Sequence, residues 1–93
     1  MLMALIAMFL NIDQNRIALA LNEAGQQLNG SEGEVVLDFS SVRRVDSAGL
    51  QAMEDFAGRA DEKTIKVALR NVDVDVYRVL KLMKLTRRFS FLH

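Results

Sequence analysis

The chain has 93 residues, enough for one domain around a single core. With hydrophobic residues at 51% and aromatic ones at 6%, that core must come from Leu, Val, Ile, Ala and Met. Twelve basic and twelve acidic residues cancel, which leaves no excess to neutralise a nucleic-acid backbone. The absence of cysteine removes disulfides and thiolate chemistry, and a lone histidine at position 93 cannot build a histidine metal cluster or a catalytic triad.

Met1 to Leu10 are ten apolar residues in a row. A spanning helix needs about 20, and a signal peptide needs a basic start that is missing here. The run predicts a strand over Leu5–Leu10, buried on both faces or preceded by a disordered methionine start. The chain reads as cytoplasmic, without direct membrane insertion. Ile17, Leu21, Ala24 and Leu28 then recur at helical spacing, predicting a helix over Gln14–Leu28. Asp13 stands ahead of it as a cap, and Asn29-Gly30 supplies a stop before the Ser31-Glu32-Gly33 loop.

Val35-Val36-Leu37-Asp38-Phe39-Ser40 is an apolar, β-branched run that predicts a buried strand over Glu34–Phe39. Val45-Asp46-Ser47-Ala48-Gly49-Leu50 follows and opens a helix over Ala48–Ala60, with Leu50, Met53, Phe56, Ala57 and Ala60 on its inner side. Gly58 weakens that helix by about 1 kcal/mol relative to alanine. Ser47 falls at the helix start, where free N–H groups hold negative charge, phosphate included. Phosphorylation there would leave the fold intact; the plainer reading is that Asp46 or Ser47 is an N-cap.

After the Asp61-Glu62-Lys63 loop, Ile65, Val67 and Leu69 alternate with Lys66, Ala68 and Arg70, a strand more buried on one face. A helix over Val72–Leu82 follows, with Val72, Val76, Val79, Leu80 and Met83 turned inward. Arg78, Lys81, Lys84, Arg87 and Arg88 gather towards its C-terminal end, where the dipole favours cations. Phe89, Phe91 and Leu92 form a short last strand. Strand and helix alternate throughout, which implies a largely parallel sheet covered by helices. Nothing divides the chain, so residues 1–93 form one domain.

Catalytic constellations are absent. The glycines at 25, 30, 33, 49 and 58 are too scattered for a phosphate loop, and no cofactor is implied. Asp38 and Asp46 suit the tethering of turns better than a carboxylate pair. Arg43 and Arg44 read as solvated or as contacts for an acidic partner, and Tyr77 as a helix surface or core-edge side chain. The chain is expected not to be an enzyme.

The pattern VVLDFSSV-x-x-VDSAGL resembles the hallmark of STAS domains, the fold shared by bacterial anti-sigma factor antagonists and the cytoplasmic tails of sulfate transporters. The resemblance runs from about Leu5 to Phe91. Asp46-Ser47-Ala48-Gly49-Leu50 matches the family's Asp-Ser-(Ser/Thr/Ala)-Gly-Leu turn. Phe9-Leu10-Asn11-Ile12-Asp13 stands where the family has a Gly-Glu-Leu-Asp segment, with only Asp13 kept. Val72, Val76, Leu80, Leu85 and Phe89 match the C-terminal end. The resemblance implies an α/β domain, a mixed but mostly parallel sheet packed against three to four helices. The family's first strand, ahead of Leu5–Leu10, is missing here or lies upstream of Met1; its loss would expose an edge through which two copies pair. The chain also departs from the family at Asp61-Glu62-Lys63, in place of a Gly-Gly loop, and at Lys81–Leu85, in place of a segment that often contains glycine.

For function, the resemblance implies an anti-sigma factor antagonist. Ser47 matches the phosphoacceptor, and the unphosphorylated form binds an anti-sigma factor that is also a serine kinase, releasing the sigma factor. Asp13, Arg43, Arg44, Asp46, Ala48, Gly49, Gln51, Glu54 and Asp55 would supply the partner-binding surface. Two alternatives stand beside it: a STAS subunit of another assembly, such as a lipid-transport ABC complex, that docks through the same turn without phosphorylation, and a nucleotide-binding sensor.

Overall fold

The computed structural model describes residues 6–28 and 33–92. Four strands, β1 (Ile6–Asn11), β2 (Gly33–Asp38), β3 (Ile65–Arg70) and β4 (Ser90–Leu92), form one sheet in the order of the chain. Every neighbouring pair is parallel, so among the described residues the sheet is not mixed as the resemblance implied. The helices are α1 (Ile17–Gln26), α2 (Ser47–Glu62) and α3 (Val74–Leu82), with 3-10 turns at Gln14–Arg16 and Thr86–Arg88.

Right-handed crossovers that always step in the same direction place every helix on one face of the sheet. The core shows this directly. Ile17, Leu21 and Ala24 of α1, Met53, Phe56 and Ala57 of α2, and Val76 and Leu80 of α3 share one buried cluster with Val35, Leu37, Val67 and Leu69. The alternate positions lie on the other face, where the register sets Phe9, Val36, Ala68 and Ser90 side by side.

The strand order corrects the reading of the first strand. β1 is not buried on both faces: it stands at the end of the strand order, and Phe9 is 47% exposed while Val36 and Ala68, its neighbours further into the sheet, are buried. The predicted last strand is present, paired to β3 through Leu69 and Phe91. The Asn29-Gly30 stop, the first half of the following loop, and Met1–Leu5 lie outside the described residues, along with the expectation of a strand ahead of Leu5. α1 ends at Gln26, before the predicted Leu28, and starts at Ile17 after a tighter turn.

Met83 is a second correction. It is 56% exposed because α3 stops at Leu82 and the chain turns away. Lys84 takes φ 61°, its N–H bonds the Lys81 carbonyl at 3.0 Å, and the Leu85 N–H reaches back to the Leu80 carbonyl at 2.8 Å. This is a Schellman stop. It swings Leu85 into the core where the helical spacing had put Met83.

Candidate functional site

The parallel sheet brings the C-terminal ends of its strands to one edge of the molecule, and the chain segments singled out above meet there. β1 runs into Ile12, whose N–H bonds the Asp38 carbonyl at 2.9 Å, and then into Asp13. The Asp13 carboxylate accepts the Asn15 N–H at 2.8 Å and starts the 3-10 turn. Asp13 is therefore a cap, of that turn and not of α1 itself.

Beyond β2 the chain crosses to α2 through Phe39–Val45. Phe39 and Val42 are buried and anchor the crossing, while Arg43 and Arg44 point outward. Two ties fix this loop. Arg43 Nη1 lies 3.4 Å from Asp73 Oδ2, the cap of α3. Gln14 reaches in from the 3-10 turn: its Oε1 accepts the N–H groups of Arg43 and Arg44 at 2.6 and 3.1 Å, and its Nε2 donates to the Arg44 carbonyl at 2.8 Å. No local pattern marks Gln14 for this; its partners lie about thirty positions away and nothing in its own neighbourhood signals them.

Asp46 is the N-cap of α2. Its carboxylate accepts the Gly49 N–H at 2.8 Å and its carbonyl accepts the Leu50 N–H at 2.9 Å. Ser47 is thus the first helical residue, exposed, with its hydroxyl outside the capping bond. Of the two cap readings, the aspartate one holds. Gly49 is buried, and a Cβ there would sit 2.7 Å from Val45 Cγ1 and 3.4 Å from Ile17 Cγ2. Its place in the motif is a matter of room: a side chain here would collide with Val45, in the loop that leads into α2.

Ser47, Gln51, Glu54 and Asp55 follow at helical spacing along the outer face of α2, all exposed, with Gln51 Nε2 bonded to Asp55 Oδ1 at 3.0 Å. Beside Ser47 an open groove of about 670 Å³ runs between α1 and the β2–α2 crossing. Arg16 and Leu19 line one side, Arg44, Asp46 and Ala48 the other, and Gln14 joins the two. Leu19 is 47% exposed and gives the groove an apolar wall.

Asp38 and Asp46 act separately. Asp38 accepts the Ser40 N–H at 2.8 Å, and that bond holds its carboxyl below the usual range against the opposing effect of burial, with lesser help from the Ser40 hydroxyl, Asn71 and the Arg70 charge. It tethers the turn after β2. Tyr77 is half exposed, with its ring edge-on to Phe91 at 5.1 Å between centroids. No group of His, Asp or Glu side chains suited to a metal occurs among the described residues.

Comparison with known proteins agrees with this architecture. The family model described as the Mlab STAS domain matches residues 6–92. The structure is similar to that of a proposed anti-sigma factor antagonist from Thermotoga maritima, at a TM-score of 0.72 and 16% identity over 96% of this chain and 81% of that one. It is also similar to an anti-sigma-factor antagonist (STAS) domain protein from Planctomyces limnophilus, at 0.67 and 19% identity over 83% of this chain and 65% of that one. At these identities the two structures speak for the fold. No curated protein sequence matches the chain.

Proposed function

The chain belongs to the STAS domain family, and on that premise we propose that it is an anti-sigma factor antagonist whose binding to a protein partner is gated by phosphorylation of Ser47. The observation that carries the reading is the division of labour at the start of α2. Asp46 fills the cap, so the exposed Ser47 hydroxyl can accept a phosphoryl group without loss of a structural bond. A phosphoserine there adds about −2 charge where helix N–H groups and Arg43 and Arg44 tolerate it. The same charge inside a closed interface repels acidic groups and resists desolvation. The switch therefore acts on binding, not on folding.

The partner is an anti-sigma factor that is also a serine kinase, acting in the cytoplasm of a bacterium. Its contact surface is the groove edge at Arg44, Asp46 and Ala48 with the outer stripe of α2 at Gln51, Glu54 and Asp55, flanked by Asp13 and Arg43. Gly49 supports this surface from beneath. A second association, between two copies along the open edge of β1 with its exposed Phe9, is open to sedimentation at increasing concentration.

The test is calorimetric titration of the partner kinase with wild type, Ser47→Ala and Ser47→Asp, alongside a phosphorylation assay. Wild type and Ser47→Ala bind, Ser47→Ala takes up no phosphate, and Ser47→Asp folds but binds much more weakly. Equal binding by Ser47→Asp would remove the switch. A second reading then takes its place: a STAS subunit that docks through the same turn without phosphorylation. The match to a family described by Mlab and not by an antagonist favours keeping it in view. The nucleotide-sensor reading has no observation in its favour.

A further inference from the structure

The charges of this neutral chain are segregated. Residues 1–75 carry all twelve acidic side chains and seven basic ones, and residues 76–93 carry five basic side chains with no acid. The basic residues sit at the end of the molecule opposite Ser47. α2 and α3 both start at the strand C-terminal edge and run back across the sheet, and Arg88, paired with Asp61 at 2.9 Å, joins the segment after α3 to the last turn of α2. Arg78 has Asp75 at 3.7 Å. Lys81, Lys84 and Arg87 are exposed and have no acidic partner among the described residues. The dipole of α3 accounts for Lys81, in its last turn, but Lys84 and Arg87 lie past the helix end.

Two large apolar side chains stand among these cations. Leu82 is 80% exposed, the most of any large hydrophobic residue described, and Met83 is 56% exposed. Leu82 faces outward from the last turn of α3, two positions past the buried Leu80, and the Schellman stop that turns Leu85 inward leaves Met83 outside. Neither lines the groove beside Ser47 or the one at Tyr77 and Phe91. They are knobs and not the floor of a groove.

We propose that this end of the molecule docks on an anionic lipid surface. Leu82 and Met83 enter the headgroup layer while Lys81, Lys84 and Arg87 pair with lipid phosphates. Protein interfaces concentrate their energy in anchors that fill fitted pockets. A bilayer interface takes protruding side chains of any shape, lets lysine stems lie along apolar neighbours, and rewards each nearby cation. Among the described residues no helix is long and apolar enough to cross a membrane, so the contact is peripheral and reversible. It leaves the Ser47 end facing away from the lipid, free for a protein.

The experiment is co-sedimentation of the full chain with vesicles of phosphatidylcholine alone and of phosphatidylcholine mixed with phosphatidylglycerol. Wild type is expected on the anionic vesicles only, and to be released by high salt. Lys81→Glu with Lys84→Glu should lower partitioning at least about twentyfold, given a roughly fivefold gain per surface cation. Leu82→Ser should lower it several-fold and leave the salt dependence in place. All substituted positions are exposed, and circular dichroism verifies the fold. Failure of wild type to bind anionic vesicles, equal binding to neutral ones, or unchanged binding by the charge-reversed variant would overturn the proposal. Binding of polyglutamate without binding of vesicles would reassign the patch to an acidic protein.

Discussion

Gln14 and Arg44 bond each other in both directions: the Gln14 amide donates to the Arg44 carbonyl at 2.8 Å, and its oxygen accepts the Arg44 N–H at 3.1 Å. The loop that leads into the Ser47 turn therefore hangs from the segment before α1. Gln14→Ala should cost about 1 kcal/mol in urea unfolding, modest because water reaches these exposed groups. Hydrogen exchange at the Arg43 and Arg44 amides should accelerate more than elsewhere. Gln14→Glu keeps the acceptor and loses the donor, so its effect should be smaller at the amides.

Capping and phosphoacceptance are separable at neighbouring positions. Asp46→Ala should lower stability by about 1 kcal/mol through loss of the bond to the Gly49 N–H. Ser47→Ala, which removes no such bond, should unfold within about 0.5 kcal/mol of wild type. Equal losses for the two variants in thermal melts would contradict the assignment of the cap.

Gly49→Ala forces a methyl group to within 2.7 Å of Val45 Cγ1. Overpacking of this kind costs about 1–3 kcal/mol, and here it displaces Val45 and the loop that leads into Ser47. The melting temperature should fall, and partner binding should weaken even where the protein remains folded.

Glycine is present at Gly58, where nothing requires it, and absent at Thr64, where the backbone asks for it. A Cβ at Gly58 meets nothing within 4 Å, so Gly58→Ala should stabilise α2 by about 1 kcal/mol. Thr64 is β-branched yet holds φ 58° just past the end of α2. Thr64→Gly should relieve about 1 kcal/mol of that strain. Both gains are readable as rises in melting temperature, roughly 4–8 °C each for a domain of this size.

Asp38 gives a pH signature. Its folded pKa lies below its unfolded one, chiefly through the Ser40 N–H. Its stabilising effect is thus complete above the unfolded value, about 3.9, and disappears as pH falls through the folded value. Asp38→Asn should be less stable than wild type near neutrality, and the gap should close in strong acid. A gap constant with pH in urea titrations would show that the carboxylate charge is not what holds the turn.

Most of the fold was legible because helix and strand differ in period. Ile17, Leu21 and Ala24 could line only a helix, and Val35–Leu37 only a buried strand. The Ser47 turn was legible too, since a short motif sets a helix start. What stayed hidden depends on geometry between distant segments. Phe9 reads as core until the strand order is seen to leave β1 at its end. Met83 reads as inward until the chain is seen to leave the helix at Leu82. Gln14 and the Arg43–Asp73 pair span about thirty positions and leave no periodic trace.

The sheet order β1-β2-β3-β4 repeats the order of the chain, and this bears on how the molecule forms. Each strand, as it arrives, finds its partner already made by the preceding unit; none must wait for a later segment to fill a gap between two others. Every pairing then closes a crossover of similar length, which keeps the sequence separation of contacts uniform and moderate for a parallel sheet. Such a chain can assemble by successive addition from its first strand onward, each step burying one more helix against the growing face.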